Sequence, residues 1–310
     1  MKNTYDLIII GGGITGMTAA IYAARANLST LILEKQVCGG LVNTTHVVEN
    51  FPSYPSIGGM DLMEKVRNHV DALGVSVIEV VEVIEINLKS DVKAIETDEG
   101  VFSAPAVIIA TGRTPKKLSI ETDCEQIHYC AICDGSAYKG KDVIVVGGGN
   151  SGVDESLYLL NLGVEKILLI EEMDRLFASE SAVKKLSACA GVEMMTSTKI
   201  ESIDIDTRLQ AVTLLDMKNN TRFVRKTDGI FVYIGQSPQT DMFRDQIHVN
   251  DAGYIPVDAD MKTNIDGVFA AGDVTAKKYR QITTAMGDAT IAALSAVECL
   301  TAMKTCRALS

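Results

Sequence analysis

The chain has no tryptophan, and phenylalanine and tyrosine together make up only 5% of it. That leaves no row of aromatic faces on which unpaired bases could stack. Positive charge is also short: 29 lysines and arginines stand against 40 aspartates and glutamates, a formal charge of −11. A surface of that sign repels phosphate backbones and anionic headgroups, so neither nucleic acid nor a membrane is an expected partner. No apolar run is read as reaching the roughly 20 residues that span a bilayer. The start, Met1 to Asp6, leads straight into the short apolar run Leu7 to Ile10 and has no small-residue cleavage site, unlike a secretory leader. Low-complexity stretches are missing. So is any second Cys-x-x-Cys or His-x-x-x-His pair, which a four-ligand zinc site would need; His128 is a lone candidate, read as structural or solvated. The expectation is a soluble, cytoplasmic protein with no metal site.

What is present is a duplication. The 310 residues, 47% of them hydrophobic, suffice for two domains with ordinary cores. Asp6-Leu-Ile-Ile-Ile-Gly-Gly-Gly-Ile-Thr-Gly16 recurs as Asp142-Val-Ile-Val-Val-Gly-Gly-Gly-Asn-Ser-Gly152. Each copy is an apolar run, a glycine turn and a helical pattern, read as Met17 to Ala26 and Val153 to Leu162. Each then enters a second apolar run ending in acid, at Glu34 and at Glu171. Fully apolar strands alternating with helices predict parallel sheets covered on both faces. The expected fold class is therefore α/β, with two doubly wound Rossmann-like nucleotide-binding domains. Arg113-Thr-Pro115 and Gln236-Ser-Pro238 read as linkers, and a strand at Gly267 to Ala270 with a helix over roughly Thr283 to Leu300 reads as the return to the first domain. The second domain, 114–237, is thus inserted into the first, 1–113 and 238–310.

Gly11-x-Gly13-x-x-Gly16 after a strand, with Glu34 at the end of the next, is a full dinucleotide fingerprint. Gly11 permits the tight turn, Gly13 lets backbone approach a pyrophosphate, and Gly16 lets helix and strand pack closely. Glu34 is placed to accept ribose hydroxyls.

Seven cysteines, an odd number, do not make a secreted disulfide framework. Cys38, Cys124, Cys189, Cys299 and Cys306 are isolated and read as buried small hydrophobes. Cys130-Ala-Ile-Cys133 reads best as a redox pair, since two thiols at that spacing can close and open a small ring by thiolate exchange. A helix N-terminus at Cys133 would stabilise its thiolate.

The chain resembles the low-molecular-weight thioredoxin reductase family. The matching pieces are Gly39-Gly-Leu41, Val48-Glu-Asn-Phe-Pro52, Ala110-Thr-Gly112, Tyr129-Cys-Ala-Ile-Cys-Asp-Gly135, Gly147 to Gly152, Gly267-Val-Phe-Ala-Ala-Gly-Asp273 and Arg280-Gln281. They stand in the family's order and cover almost the whole chain. The resemblance implies that the first fingerprint binds FAD, with Glu34-Lys35, Gly40-Leu41, Ala110, Thr111 and Gly112 in the cofactor site. Asn50 and the Gly272-Asp273 turn would flank the flavin and its ribityl chain, and Arg280, Gln281 and Ile282 would open the last helix beside it. A plainer role for Asp273 is to cap that helix. Leu41 is a departure, because the family often has Gln after these glycines. By the same resemblance Cys133 takes the flavin's electrons, Cys130 attacks the substrate disulfide, and Asp134 manages the proton; the plainer reading of Asp134-Gly135 is a turn. Hinge rotation of the domains and a homodimer are further implications.

At the second fingerprint, Gly147-x-Gly149-x-x-Gly152, the pattern breaks. NADPH-using members follow the next strand with arginines that hold the 2′-phosphate. Here the segment is Glu171-Glu172-Met173-Asp174-Arg175, so NADPH is not the expected donor. Glu171 suits an unphosphorylated ribose, as in NADH, a pattern similar to the flavoprotein subunit of alkyl hydroperoxide reductase. Alternatively the second site is a remnant and reduced ferredoxin is the donor; Lys116-Lys117 and Lys277-Lys278-Tyr279-Arg280 are basic clusters that could receive it. The expected activity is disulfide reduction, with thioredoxin or a similar protein as substrate. A flavin-dependent dithiol oxidase using O₂, or a non-enzymatic flavin redox sensor, would carry the same motifs.

Overall fold

The computed structural model describes residues 3–120 and 124–309, with side chains as far as Thr305. It divides into two compact units, Met1–Thr114 with Ser237–Ser310, and Pro115–Gln236.

In chain order, β1 (Leu7–Ile10), α1 (Ile14–Arg25) and β2 (Thr30–Glu34) form the first strand–helix–strand unit. They are followed by α2 (Gly59–Ala72), β3 (Ser76–Glu79), an antiparallel set β4 (Val83–Asn87), β5 (Lys93–Thr97) and β6 (Gly100–Ala104), and then β7 (Ala106–Ile109). The chain crosses at β8 (Arg113–Pro115). The second unit holds β9 (Ile127–His128), the short helix α3 (Ala131–Asp134), β10 (Asp142–Val146), α4 (Asn150–Asn161), β11 (Lys166–Ile170), α5 (Glu180–Ser187) and β12 (Val192–Met195). An antiparallel sheet of β13 (Thr198–Ile205), β14 (Leu209–Asp216) and β15 (Thr221–Lys226) precedes β16 (Gly229–Val232). The chain returns at β17 (Gln236–Pro238) and ends with β18 (Val268–Ala270) and α6 (Ile282–Leu309). The segments read as plain linkers, β8 and β17, pair as a two-stranded sheet.

Both units repeat one design. In the first, the five-stranded sheet has the order β18-β7-β1-β2-β3, all parallel. Every residue of β1 is buried because both faces of the sheet are covered. Leu7 and Ile9 face a core shared with Met17 of α1 and the alanines of α6, while Ile8 and Ile10 face Ile95 and Phe102 of the antiparallel sheet. The second unit has the order β12-β11-β10-β16-β9, also parallel. Val143 and Val145 pack with Val153, Leu159 and Leu186 on the helical side; Ile144 and Val146 pack with Val212 and Leu214 of β14.

The last helix departs from the expected span. It runs to Leu309, and its Ile282–Thr305 stretch is long and apolar enough, by length and composition, to cross a membrane. The expectation that no such run exists is corrected here. Its buried face is a column of small residues, Ala285, Ala289, Ala292 and Ala296, spaced by three and four residues so that they align on one side. That column packs into the same core as Ala19, Ala20 and Ala23 of α1, so the helix already has its apolar partner.

Candidate functional site

The two glycine turns are near-copies. Gly11 and Gly147 have φ of +108° and +114°, a left-handed region that favours glycine. A Cβ at Gly11 would collide with the Ala110 carbonyl, and one at Gly147 with the Tyr233 carbonyl. A Cβ at Gly16 or Gly152 would run into the carbonyl of Gly11 or Gly147, which is how closely each helix starts against its strand. Gly13 and Gly149 are the N-caps of α1 and α4; no side chain caps either helix, and neither has an acid in its first turn. The first N–H groups of both helices are therefore left for an anionic ligand. The space at Gly149 is open, and at Gly13 only the Gly40 Cα comes within contact range.

The acids at the strand ends repeat as well. Glu34 accepts the Gly12 N–H at 2.5 Å through Oε2 and the Gln36 N–H at 2.8 Å through Oε1. Glu171 accepts the Gly148 N–H at 2.7 Å through Oε2 and the Met173 N–H at 2.9 Å through Oε1. Each carboxylate is locked to its own glycine turn, with lone pairs left over for ribose hydroxyls. Glu172, Asp174 and Arg175 are exposed, and the Arg175 guanidinium lies 5.2 Å over the Phe177 ring.

The other residues predicted around the first fingerprint are gathered in the first unit. Gly39 bridges to Gly13, and Gly40 and Leu41 begin a short helical turn whose Leu41 carbonyl accepts from Thr44. Ala110 donates to the Ile10 carbonyl; the Thr111 hydroxyl and the Gly112 carbonyl bond to the Gln239 backbone. Asn50 donates to Gln281 at 3.0 Å. Gly272 takes Asp288 as acceptor, and Asp288 in turn pairs with Lys277 at 2.7 Å. Asp273 does not cap α6: its Oδ2 is held by Arg113 at 3.0 Å, while its Oδ1 is buried with no hydrogen-bond partner, the Lys277 ammonium lying 3.8 Å away. Arg280 lies 4.3 Å over the Tyr254 ring, and its Nε is likewise buried without a partner. Buried polar atoms are rarely left unpaired, so these two suit a polar cofactor. Ile282 packs into the core, and Lys35 pairs with Glu82 on the exposed surface at 3.1 Å.

In the second unit Cys130 and Cys133 form a disulfide with Cα atoms 5.4 Å apart. Cys130, not Cys133, is the N-cap of the four-residue α3; its Sγ accepts the Cys133 N–H at 3.2 Å. The expectation of a helix start at Cys133 is corrected accordingly. Cys133 is exposed and Cys130 half-buried. The Tyr233 hydroxyl accepts the Ala131 N–H at 3.0 Å and so holds the start of α3. Asp134 occupies the N-cap position of the short helical turn Gly135–Tyr138, but its side chain caps nothing there: its Oδ2 is 3.2 Å from His128 Nδ1. His128 is half-buried, and its Nε2 lies 2.6 Å from the Tyr138 hydroxyl, so of the two readings given to it the structural one fits and the solvated one does not.

Sequence reasoning also missed Glu155 on α4. Its Oε2 is buried without a partner, and burial, aided by Asp154, pushes its carboxyl up to about 7. Its place three residues after Gly152 was the one available signal. Of the isolated cysteines, only Cys38 is buried; Cys124, Cys189 and Cys299 are intermediate, and the Cys306 side chain lies outside the described residues. Among the described residues no acidic, histidine or cysteine cluster could hold a metal.

Two doubly wound units, two uncapped glycine-turn helices and a redox-ready cysteine pair define a nucleotide-linked disulfide oxidoreductase. The chain belongs to the pyridine nucleotide-disulphide oxidoreductase family, whose model matches residues 5–289. Among its relatives are a 34.2 kDa protein in the rubredoxin operon of Clostridium pasteurianum, 41% identical over 94% of this chain and 96% of that protein, and the thioredoxin reductase of Bacillus subtilis, 38% identical over 95% and 94%. The solved thioredoxin reductase of Lactococcus lactis superposes with a TM-score of 0.89 at 35% identity, covering 96% of this chain and 99% of that one. Within the family the chain is an enzyme of the low-molecular-weight thioredoxin reductase type, as the resemblance implied.

Proposed function

We propose that the protein is an FAD-dependent disulfide reductase that takes electrons from NADH and delivers them through Cys133 and Cys130 to a protein disulfide of the thioredoxin class. The observation that carries the donor is Glu171. It repeats, bond for bond, the way Glu34 grips the first glycine turn, and a carboxylate so placed accepts ribose hydroxyls and repels a 2′-phosphate. Names of relatives such as the Bacillus subtilis thioredoxin reductase support the substrate class.

The residues divide the work. Bound FAD supplies a two-electron carrier between nicotinamide and disulfide. The N–H groups opening α1 would hold its pyrophosphate past Gly13, and Glu34 would accept hydroxyls of its adenosine ribose. Asp273 Oδ1, which accepts no hydrogen bond and has Lys277 only at 3.8 Å, and Arg280 Nε offer the acceptor and donor that a flavin edge and ribityl chain would satisfy. Asp134, next to Cys133, takes and returns the proton of the exchange. The working form is a cytoplasmic homodimer.

Anaerobic titration of the purified yellow protein with NADH, NADPH and reduced ferredoxin tests the reading. Rapid loss of flavin absorbance with NADH alone is expected. Efficient bleaching by NADPH would overturn the role given to Glu171, and bleaching by ferredoxin alone would make the second fingerprint a structural remnant.

A further inference from the structure

The cysteine pair has a polar neighbour that the reductase reading leaves without a job. His128, on β9, reaches the redox segment from both ring nitrogens: Nδ1 lies 3.2 Å from Asp134 Oδ2 and Nε2 lies 2.6 Å from the Tyr138 hydroxyl. Its ring is packed 5.1 Å from Phe231 and 5.2 Å from Tyr138, centroid to centroid, so it has little freedom to turn. Asp134 follows Cys133 directly in α3. The protein therefore holds a fixed chain of three groups, Tyr138, His128 and Asp134, whose last member is the residue that follows Cys133 in the chain.

We propose that His128 is a positioning residue for disulfide exchange, holding the Asp134 carboxylate beside Cys133 and sharing the proton that Cys133 gives up. The inference rests on the disulfide-reductase reading and deepens it.

The state of the chain follows from burial. Burial pushes His128 below its ordinary range, with Asp134 working against it. Burial pushes Tyr138 up to about 12, helped by Asp134, so its hydroxyl keeps its proton. At neutral pH the arrangement that satisfies all three is a neutral imidazole. Its Nδ1–H donates to Asp134, and its Nε2 accepts from the Tyr138 hydroxyl. Other titratable groups face the same spot: Cys124 lies near Tyr138, Asp228 near it is paired with Arg208 at 3.1 Å, and Lys141 sits 5.1 Å over the Tyr138 ring.

The exchange needs such a proton store. The Cys130 thiolate attacks a substrate disulfide; one new S–S bond forms, and the first substrate thiolate is released. Cys133 then loses its proton, and its thiolate attacks Cys130 Sγ. The internal S–S bond forms, the mixed disulfide breaks, and the second substrate sulfur leaves as a thiolate. The enzyme dithiol is oxidised by two electrons and the substrate disulfide is reduced by two. The proton from Cys133 passes to the Asp134–His128 pair and then to one of the departing thiolates.

A leaving group that needs no proton should bypass the pair, and this separates the proposed role from a merely structural one. Wild type, His128→Gln and Tyr138→Phe are reduced with dithiothreitol, desalted without oxygen, and mixed rapidly with oxidised thioredoxin or with the aryl disulfide dithiobis(nitrobenzoate). General acid–base assistance is worth roughly 10²–10⁴-fold, and a residue that acts through Asp134 carries part of it. The expected loss in His128→Gln is therefore about 10–100-fold larger with thioredoxin than with the aryl disulfide, and the thioredoxin rate loses its pH dependence in the histidine range. Tyr138→Phe keeps the ring packing but frees Nε2, and should show a smaller loss of the same kind. Equal losses on both oxidants, or an unchanged thioredoxin rate and pH profile in either folded variant, overturn the proposal. A wild-type protein that neither disulfide reoxidises overturns the reductase reading, and the proposal with it.

Discussion

Replacing Glu171 by Gln changes one oxygen to an amide and removes the charge. Both carboxylate oxygens already accept a backbone N–H, from Gly148 and from Met173. The amide nitrogen must face one of those donors, so one bond is lost and the other loses its charge assistance. The same would hold for the two ribose hydroxyls that the proposed reading gives to the carboxylate. A hydrogen bond to a charged group contributes about 1.5–3 kcal/mol, and one to a neutral group about 0.5–1.5 kcal/mol. The net loss on the nucleotide is about 1.5–3 kcal/mol, which weakens NADH binding roughly 10- to 150-fold. The assay is anaerobic rapid mixing, reading the NADH concentration that half-saturates flavin reduction. That concentration should rise by this factor while the limiting rate holds, because the ribose contact is made in ground and transition state alike. The parallel change at Glu34 should weaken retention of the flavin on gel filtration. An unaltered half-saturation in Glu171→Gln, with the protein folded, would refute the ribose role.

Two further outcomes concern the frame that holds the site. Gly152→Ala places a Cβ against the Gly147 carbonyl and should destabilise the second unit by about 1–3 kcal/mol, seen as a lowered melting temperature. Glu79 is raised by burial but lowered further by its bonds to the Cys38 N–H and Arg67, for a net depression. A carboxyl depressed on folding adds stability above its unfolded value and loses it as pH falls through the folded one. Glu79→Gln should therefore lower stability at pH 7 and flatten its decline below about pH 5, measured by thermal melts across pH.

What could be read beforehand was whatever is local. The paired glycine fingerprints, the apolar strands after them and the acids at Glu34 and Glu171 each follow from a short period or a special φ, and those parts of the doubly wound fold were legible. The antiparallel sheets were not. Strands such as Thr221–Lys226 are mostly exposed and interrupt their alternation with charge, so they look like loop. The extra turns of α6 were hidden because the final stretch mixes Lys304 and Arg307 into an otherwise apolar pattern. Side-chain partners across long separations carry no sequence signal. Arg113 gives no hint of Asp273, 160 positions away, nor does His128 reveal that a backbone turn brings Asp134 to it. The helix start was set at Cys133 rather than at its true cap, Cys130, because the helix is only four residues long.

The central claim is that electrons pass through one pair of sulfurs. One equivalent of NADH per chain is added without oxygen, the protein is quenched with iodoacetamide, and the alkylated cysteines are located by mass spectrometry. The account predicts labels appearing together on Cys130 and Cys133, and disappearing when oxidised thioredoxin is added before the quench. A bleached flavin with both cysteines still unlabelled would contradict it.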